Sequence, residues 1–118
     1  MPMEMTMIHS TIRIVTNPEK RDEVKTIFRT MAERARVRSG CVSCRAYSDT
    51  QEVDVLMFEA IWQNEEYMNR YLGSEEFRNV LLAVEMATEQ PEVRFMAVSQ
   101  VTGMETIEKA RNGGLNAN

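Results

Sequence analysis

Apolar and polar positions along this chain change period several times, and each change marks an element. From Ile8 to Val15 the residues alternate. Ile8, Ser10, Ile12 and Ile14 fall on one side and His9, Thr11, Arg13 and Val15 on the other, and the β-branched content predicts a strand. Asn17 followed by Pro18 reads as a helix start, because an Asn side chain accepts from the first free amides and proline at the first helical position loses no bond. Val24, Ile27, Phe28, Met31 and Ala35 then recur at three- and four-residue spacing, so one side of this helix packs on a core. Its end is expected at Ser39-Gly40, glycine being suited to a left-handed cap.

The second half follows the same logic. A strand over Cys41 to Ser48 and a strand over Val55 to Gln63 flank the polar stretch Asp49 to Asp54, which predicts a hairpin. In the latter strand Leu56, Phe58, Ala60 and Trp62 share one side, and Val55, Met57, Glu59 and Ile61 the other. Both sides are largely apolar, so both need cover. Asn64 caps a short helix with Tyr67, Met68, Tyr71 and Leu72 inward. After Gly73-Ser74 a second helical piece, Glu75 to about Thr88, places Phe77, Val80, Leu81 and Val84 inward, and Pro91 marks its end. Glu92 to Thr102 alternates as a fourth strand.

The order β-α-β-β-α-β is the split βαβ pattern of a ferredoxin-like α+β fold, one four-stranded antiparallel sheet with helices on one face. The expected division is a flexible start over 1–7, one domain over 8–102 and a tail over 103–118, helical for a turn or two and then mobile. An apolar second sheet face calls for a partner. The expectation is a homodimer in which two sheets close face to face into an α+β barrel, hiding Val55, Met57 and Ile61, with Arg13 and Glu59 as candidates to pair in the buried layer.

Composition narrows the function classes. The 118 residues suit one domain, and the balance of 14 basic to 18 acidic side chains gives a net charge of -4 with no basic block, which argues against a nucleic-acid partner. No apolar run approaches the roughly 20 residues that cross a bilayer, and MPMEMTM lacks the basic start and apolar centre of a signal peptide. No membrane partner and a cytoplasmic location are expected. Cys41 and Cys44 have CxxC spacing, but on a regular strand residues three apart face opposite sides, and His9 is the single histidine. No metal site is expected.

The stretches NPEK before the first helix, SGCVS entering the second strand, FEAIW in the third, and EEYMNRYLGSEEF after it make the span Ile8 to Thr102 resemble the antibiotic biosynthesis monooxygenase family. The resemblance implies small dimeric α+β barrels with a cleft in each subunit between helices and sheet. There, family members oxidise quinol-like aromatics with dioxygen and no added cofactor. It implies Trp62 as a wall of that cleft, and Tyr71 as the residue standing where the family often carries a histidine; these two are the candidate catalytic residues. A second common histidine is matched by Glu76. Ser10, Ile12, Cys44 and Phe58, on the same sheet face as Trp62, are the candidate substrate-binding residues. A related branch degrades haem with a histidine in its long helix and an asparagine on its first strand, and this chain has neither. The two readings carried forward are a cofactor-independent monooxygenase acting on a small aromatic or quinol-like molecule, and a non-catalytic dimer binding such a molecule in the same cleft.

Overall fold

The computed structural model describes residues 6–117, with side chains over 6–113. Most of the segment expected to be flexible, residues 1–5, lies outside the described residues. Strands β1 (Met7–Val15), β2 (Cys41–Ser48), β3 (Val55–Trp62) and β4 (Glu92–Val98) form one antiparallel sheet in the order β2-β3-β1-β4. Helices α1 (Pro18–Ala35), α2 (Glu65–Leu72) and α3 (Phe77–Val84) lie between the strands in sequence. α1 packs on β2, β3 and α3, and α2 packs on β1 and β3. This is the expected ferredoxin-like α+β architecture. A fourth helix, α4 (Met104–Ala117), extends the tail beyond the one or two turns expected, and its described side chains are exposed.

Local chemistry explains the boundaries. The Asn17 side chain accepts the Lys20 amide at 2.8 Å and Asn64 accepts the Tyr67 amide at 3.1 Å, so each helix starts where an Asn can replace a missing backbone acceptor. α1 ends earlier than expected, at Ala35. The amides of Val37 and Arg38 bond to the carbonyls of Arg34 and Ala35, three residues back, tightening the chain into a turn before Gly40. Gly40 does adopt the left-handed conformation, with φ 81°, but as the hinge into β2. β4 ends at Val98, short of Thr102.

The core is the helix-facing side of β1 and β3 against α1, α2 and α3. Ile12, Ile14, Leu56, Phe58, Ala60 and Trp62 meet Val24, Phe28, Met31, Met68, Tyr71, Phe77 and Val80. α3 departs from expectation, since it begins at Phe77 and turns Ala83 inward while Leu81 is 46% exposed. The opposite sheet face is mixed. Met57 and Ile61 are half-buried beside His9, whose Nε2 lies 2.9 Å from the Glu59 carboxylate, and the Tyr47 hydroxyl donates to the same carboxylate at 3.3 Å. Arg13 does not pair with Glu59 within the chain. It reaches Glu52 at 3.3 Å and Glu92 at 4.0 Å instead.

Candidate functional site

Trp62 ends β3 on the helix side of the sheet, and Tyr71 comes down onto it from α2. Their ring centroids are 5.0 Å apart at 33°, and Phe77, at the start of α3, closes edge-on against Tyr71 at 5.3 Å. Such tilted and edge-on contacts let the positive rim of one ring meet the negative face of the next. Both Trp62 and Tyr71 are 1% exposed. The arrangement is a sealed aromatic cluster, rather than the open cleft that the resemblance implied. Four surface grooves among the described residues are lined by neither Trp62 nor Tyr71.

Two buried polar atoms in this cluster have no hydrogen-bond partner: the Tyr71 hydroxyl and Glu76 Oε2. A buried orphan is costly, commonly about 1–3 kcal/mol, so such atoms mark a place that another polar group is suited to fill. Arg38 stands beside both residues. Its guanidinium lies over the Tyr71 ring at 5.2 Å and 3.9 Å from the Glu76 carboxylate. Burial pushes the Tyr71 hydroxyl well above the ordinary phenol range, with the Cys44 thiol and the Glu76 carboxylate adding to the effect and Arg38 opposing it. Tyr71 is therefore a neutral donor at physiological pH and cannot serve as a base.

Arg38 also has an outer side. With Val37, Ser39, Tyr67 and Arg70 it lines a surface groove of about 400 Å³. The guanidinium thus stands between this groove and the ring of Tyr71.

The candidate residues divide in two. Trp62, Tyr71 and Cys44 come together in the same buried region. Phe58 is directed toward α1, where it meets Phe28 at 5.4 Å, and Ile12 is a 7% exposed core residue. Ser10 is half-buried, and its hydroxyl is already used by the Ala60 carbonyl at 3.2 Å. Arg38 was absent from the sequence-derived candidates, since it reads as one of many charges near the end of α1. Glu76 was identified only by its position, and nothing in the sequence signals that one of its oxygens is buried.

The two thiols overturn an expectation. Cys41 pairs with Trp62 while Ser43 pairs with Ile61, so the ladder slips by one residue at Val42. This bulge puts Cys41 and Cys44 on the same side of the sheet, against the core, instead of on opposite sides. Burial raises both thiols, Cys44 to about 12 with Cys41 adding to it and Arg36 opposing, which keeps them protonated and unreactive. Among the described residues no group of three or more His, Cys, Asp or Glu side chains is placed to hold a metal ion. No described helix is long and apolar enough to cross a membrane.

Comparison with known proteins supplies the remaining findings. A family model described as antibiotic biosynthesis monooxygenase matches residues 7–81. The fold is similar to that of a candidate antibiotic biosynthesis monooxygenase from Deinococcus radiodurans, at 12% identity and TM-score 0.75, covering 81% of this chain and 96% of that one. A candidate monooxygenase of the same description from Nitrosomonas europaea is 10% identical, with TM-score 0.74 and coverage of 87% and 100%. A conserved protein from Methanosarcina mazei is 19% identical, with TM-score 0.73 and coverage of 80% and 95%. No curated protein matches the sequence.

Proposed function

Because this chain belongs to the antibiotic biosynthesis monooxygenase family, we propose that it is an oxidoreductase which uses dioxygen to oxidise a small aromatic, quinol-like molecule beside Trp62 and Tyr71. The observation that carries the reading is the pair of buried atoms without a hydrogen-bond partner, Tyr71 OH and Glu76 Oε2, next to an indole wall. A quinol offers the matching groups, a hydroxyl to accept from Tyr71 and an acidic proton for Glu76, on a flat ring that stacks against tryptophan.

In this reading the substrate enters through the groove lined by Arg38 and Tyr67, and the Arg38 side chain swings aside to admit it. Glu76 takes a proton from the activated carbon or hydroxyl, and Arg38, swung back once the substrate is bound, holds the carboxylate in place. The substrate anion passes one electron to dioxygen, and the two radicals join in a carbon–oxygen bond. Loss of the remaining proton from that carbon breaks the O–O bond, leaving a carbonyl and a hydroxide that leaves as water with the proton held by Glu76. Tyr71, locked as a neutral phenol, donates to the oxygen on which charge develops. The protein contributes orientation and exclusion of water, with no added cofactor.

The same proposal includes the partner. The open sheet face, with Met57, Ile61 and Met96 around the His9–Glu59 pair, is covered by a second copy. The competing reading, a non-catalytic binder, draws on the close packing of Trp62 and Tyr71.

Oxygen uptake with a panel of hydroquinones separates the two. Turnover that falls by roughly a hundredfold or more in Glu76→Gln, and falls in Tyr71→Phe and Trp62→Phe, supports the oxidase chemistry. Binding of hydroquinones without oxygen uptake by the wild type sinks it.

A further inference from the structure

A second groove, of about 120 Å³, opens between α1 and the edge strand β2, and it shares no lining residue with the Trp62–Tyr71 cluster. Its origin is residue size. The side of β2 that faces the helix carries Cys44, Ala46 and Ser48, and α1 meets it with Ala32. Two alanines in that layer leave volume that larger side chains would fill. The floor below is Phe28 and Leu56, 1% and 2% exposed.

The rim is cationic. Lys25 and Arg29, one turn apart on α1, and Arg36, just past its end, line the opening. None of the three has an ion-pair partner among the described residues, whereas Lys20 and Arg21, on the same helix, pair with Glu23 and Asp54. This concentration of unneutralised positive charge lies on a chain whose net charge is -4. Arg36 is also held in place, its Nε donating to the Cys44 carbonyl at 2.8 Å. That bond fixes the guanidinium and leaves its terminal N–H groups free to fork a carboxylate.

We propose that this groove binds a small aromatic carboxylate, the ring lying on Phe28, Ala32, Ala46 and Leu56 and the carboxylate meeting Arg29 and Arg36. Volume and charge together select the class. The space is of the order of the roughly 150 Å³ void that takes one benzene ring, so one ring fits. An inorganic anion would satisfy the cations and leave the apolar floor wet. A neutral arene would cover the floor and leave three cations without a partner. The site stands apart from the oxidation proposed above and does not depend on it.

Titration of isotopically labelled protein with benzoate, benzamide and acetate, followed by NMR, tests the assignment. Benzoate is expected to give saturable shifts confined to residues 25–36, 44–48 and the neighbourhood of Leu56. Benzamide, which keeps the ring without the charge, and acetate, which keeps the charge without the ring, should bind at least roughly tenfold more weakly. Arg29→Met and Arg36→Met should each weaken benzoate by a similar factor. Arg29 is exposed and its side chain makes no hydrogen bond among the described residues, so its variant keeps the test valid even if Arg36→Met unfolds. Absence of saturable shifts, equal binding of benzamide and benzoate, shifts centred on Trp62 and Tyr71, or unchanged affinity in Arg29→Met would each overturn the proposal.

Discussion

The ring of Tyr67 occupies the volume that any side chain at Gly40 would need. Gly40 is where the chain leaves the turn after α1 and enters β2, and its carbonyl accepts the Gln63 amide at 2.8 Å, just past the end of β3. One glycine therefore ties the starts of β2 and α2 to the end of β3.

Gly40→Ala is expected to lower unfolding free energy by about 2 kcal/mol or more, since it adds a left-handed backbone penalty to a collision with an aromatic ring. Urea unfolding measures it. In a Tyr67→Ala background the same substitution should cost less, because the collision is gone and only the backbone penalty remains. An equal cost in both backgrounds would show that the ring plays no part.

The chain has a single tryptophan, so its fluorescence reports on one site. At 1% exposure, Trp62 should be poorly quenched by acrylamide in the folded protein. Arg38→Ala removes the cover over Tyr71 and should raise the quenching constant without changing the far-ultraviolet circular dichroism. Wild-type quenching close to that of the unfolded chain would contradict the sealed cluster.

Stability should fall in alkali, and the sign follows from two buried groups. Tyr71 and Cys44 both release their protons less readily when folded than their ordinary values of 10.0 and 9.0. The unfolded chain thus loses protons first as pH rises, and stability is fully present below about pH 9 and declines above it. The decline is up to about 1.4 kcal/mol per pH unit for each group, and for Cys44 it continues to about 12. Tm measured from about pH 7 to 11 should fall, and Cys44→Ala or Tyr71→Phe should flatten the curve. A tyrosinate signal from Tyr71 should appear only as native structure is lost.

The proposed pairing of two sheets gives a fourth expectation. Ile61 lies opposite His9 on the open face, in the middle of the surface assigned to a second copy. Ile61→Asp should convert a two-chain species to monomer in sedimentation velocity and lower Tm. A wild-type chain that sediments as a stable monomer at high concentration would remove the barrel from the proposal.

Much of this architecture was legible in the sequence because strong local signals agree with the packing. Asn17 and Asn64 start helices by the same side-chain bond, and the alternation through Leu56, Phe58, Ala60 and Trp62 falls on one buried face. Leu81 was misread because Phe77, Val80, Leu81 and Val84 also form one helical stripe, and only the packing of α3 on α1 turns Ala83 inward and Leu81 outward. The ends of α1 and β4 were misplaced for a related reason, since termination depends on tertiary turns and on what pairs beyond the last strand residue. At the candidate site, the sequence brought Trp62 and Tyr71 to the same face but could not show that they touch. Ring contact is a matter of rotamers and helix tilt, and a difference of a few ångströms separates a cleft from a plug. The groove beside β2 left no trace in the pattern at all, because it arises from two small residues, Ala32 and Ala46, far apart in the chain.

The extra residue at Val42 has a consequence for how the chain can vary. Cys41 and Cys44 keep their common orientation only because one position between them is left over, and Val42, 51% exposed, is that surplus. Removing it would leave Cys41 opposite Trp62 and Ser43 opposite Ile61 in an uninterrupted ladder, with neither sulfur reversed and Gly40 still beside the tyrosine ring. Shortening this edge by a single unit at Val42 therefore erases the irregularity and leaves every paired side chain on its own side of the sheet.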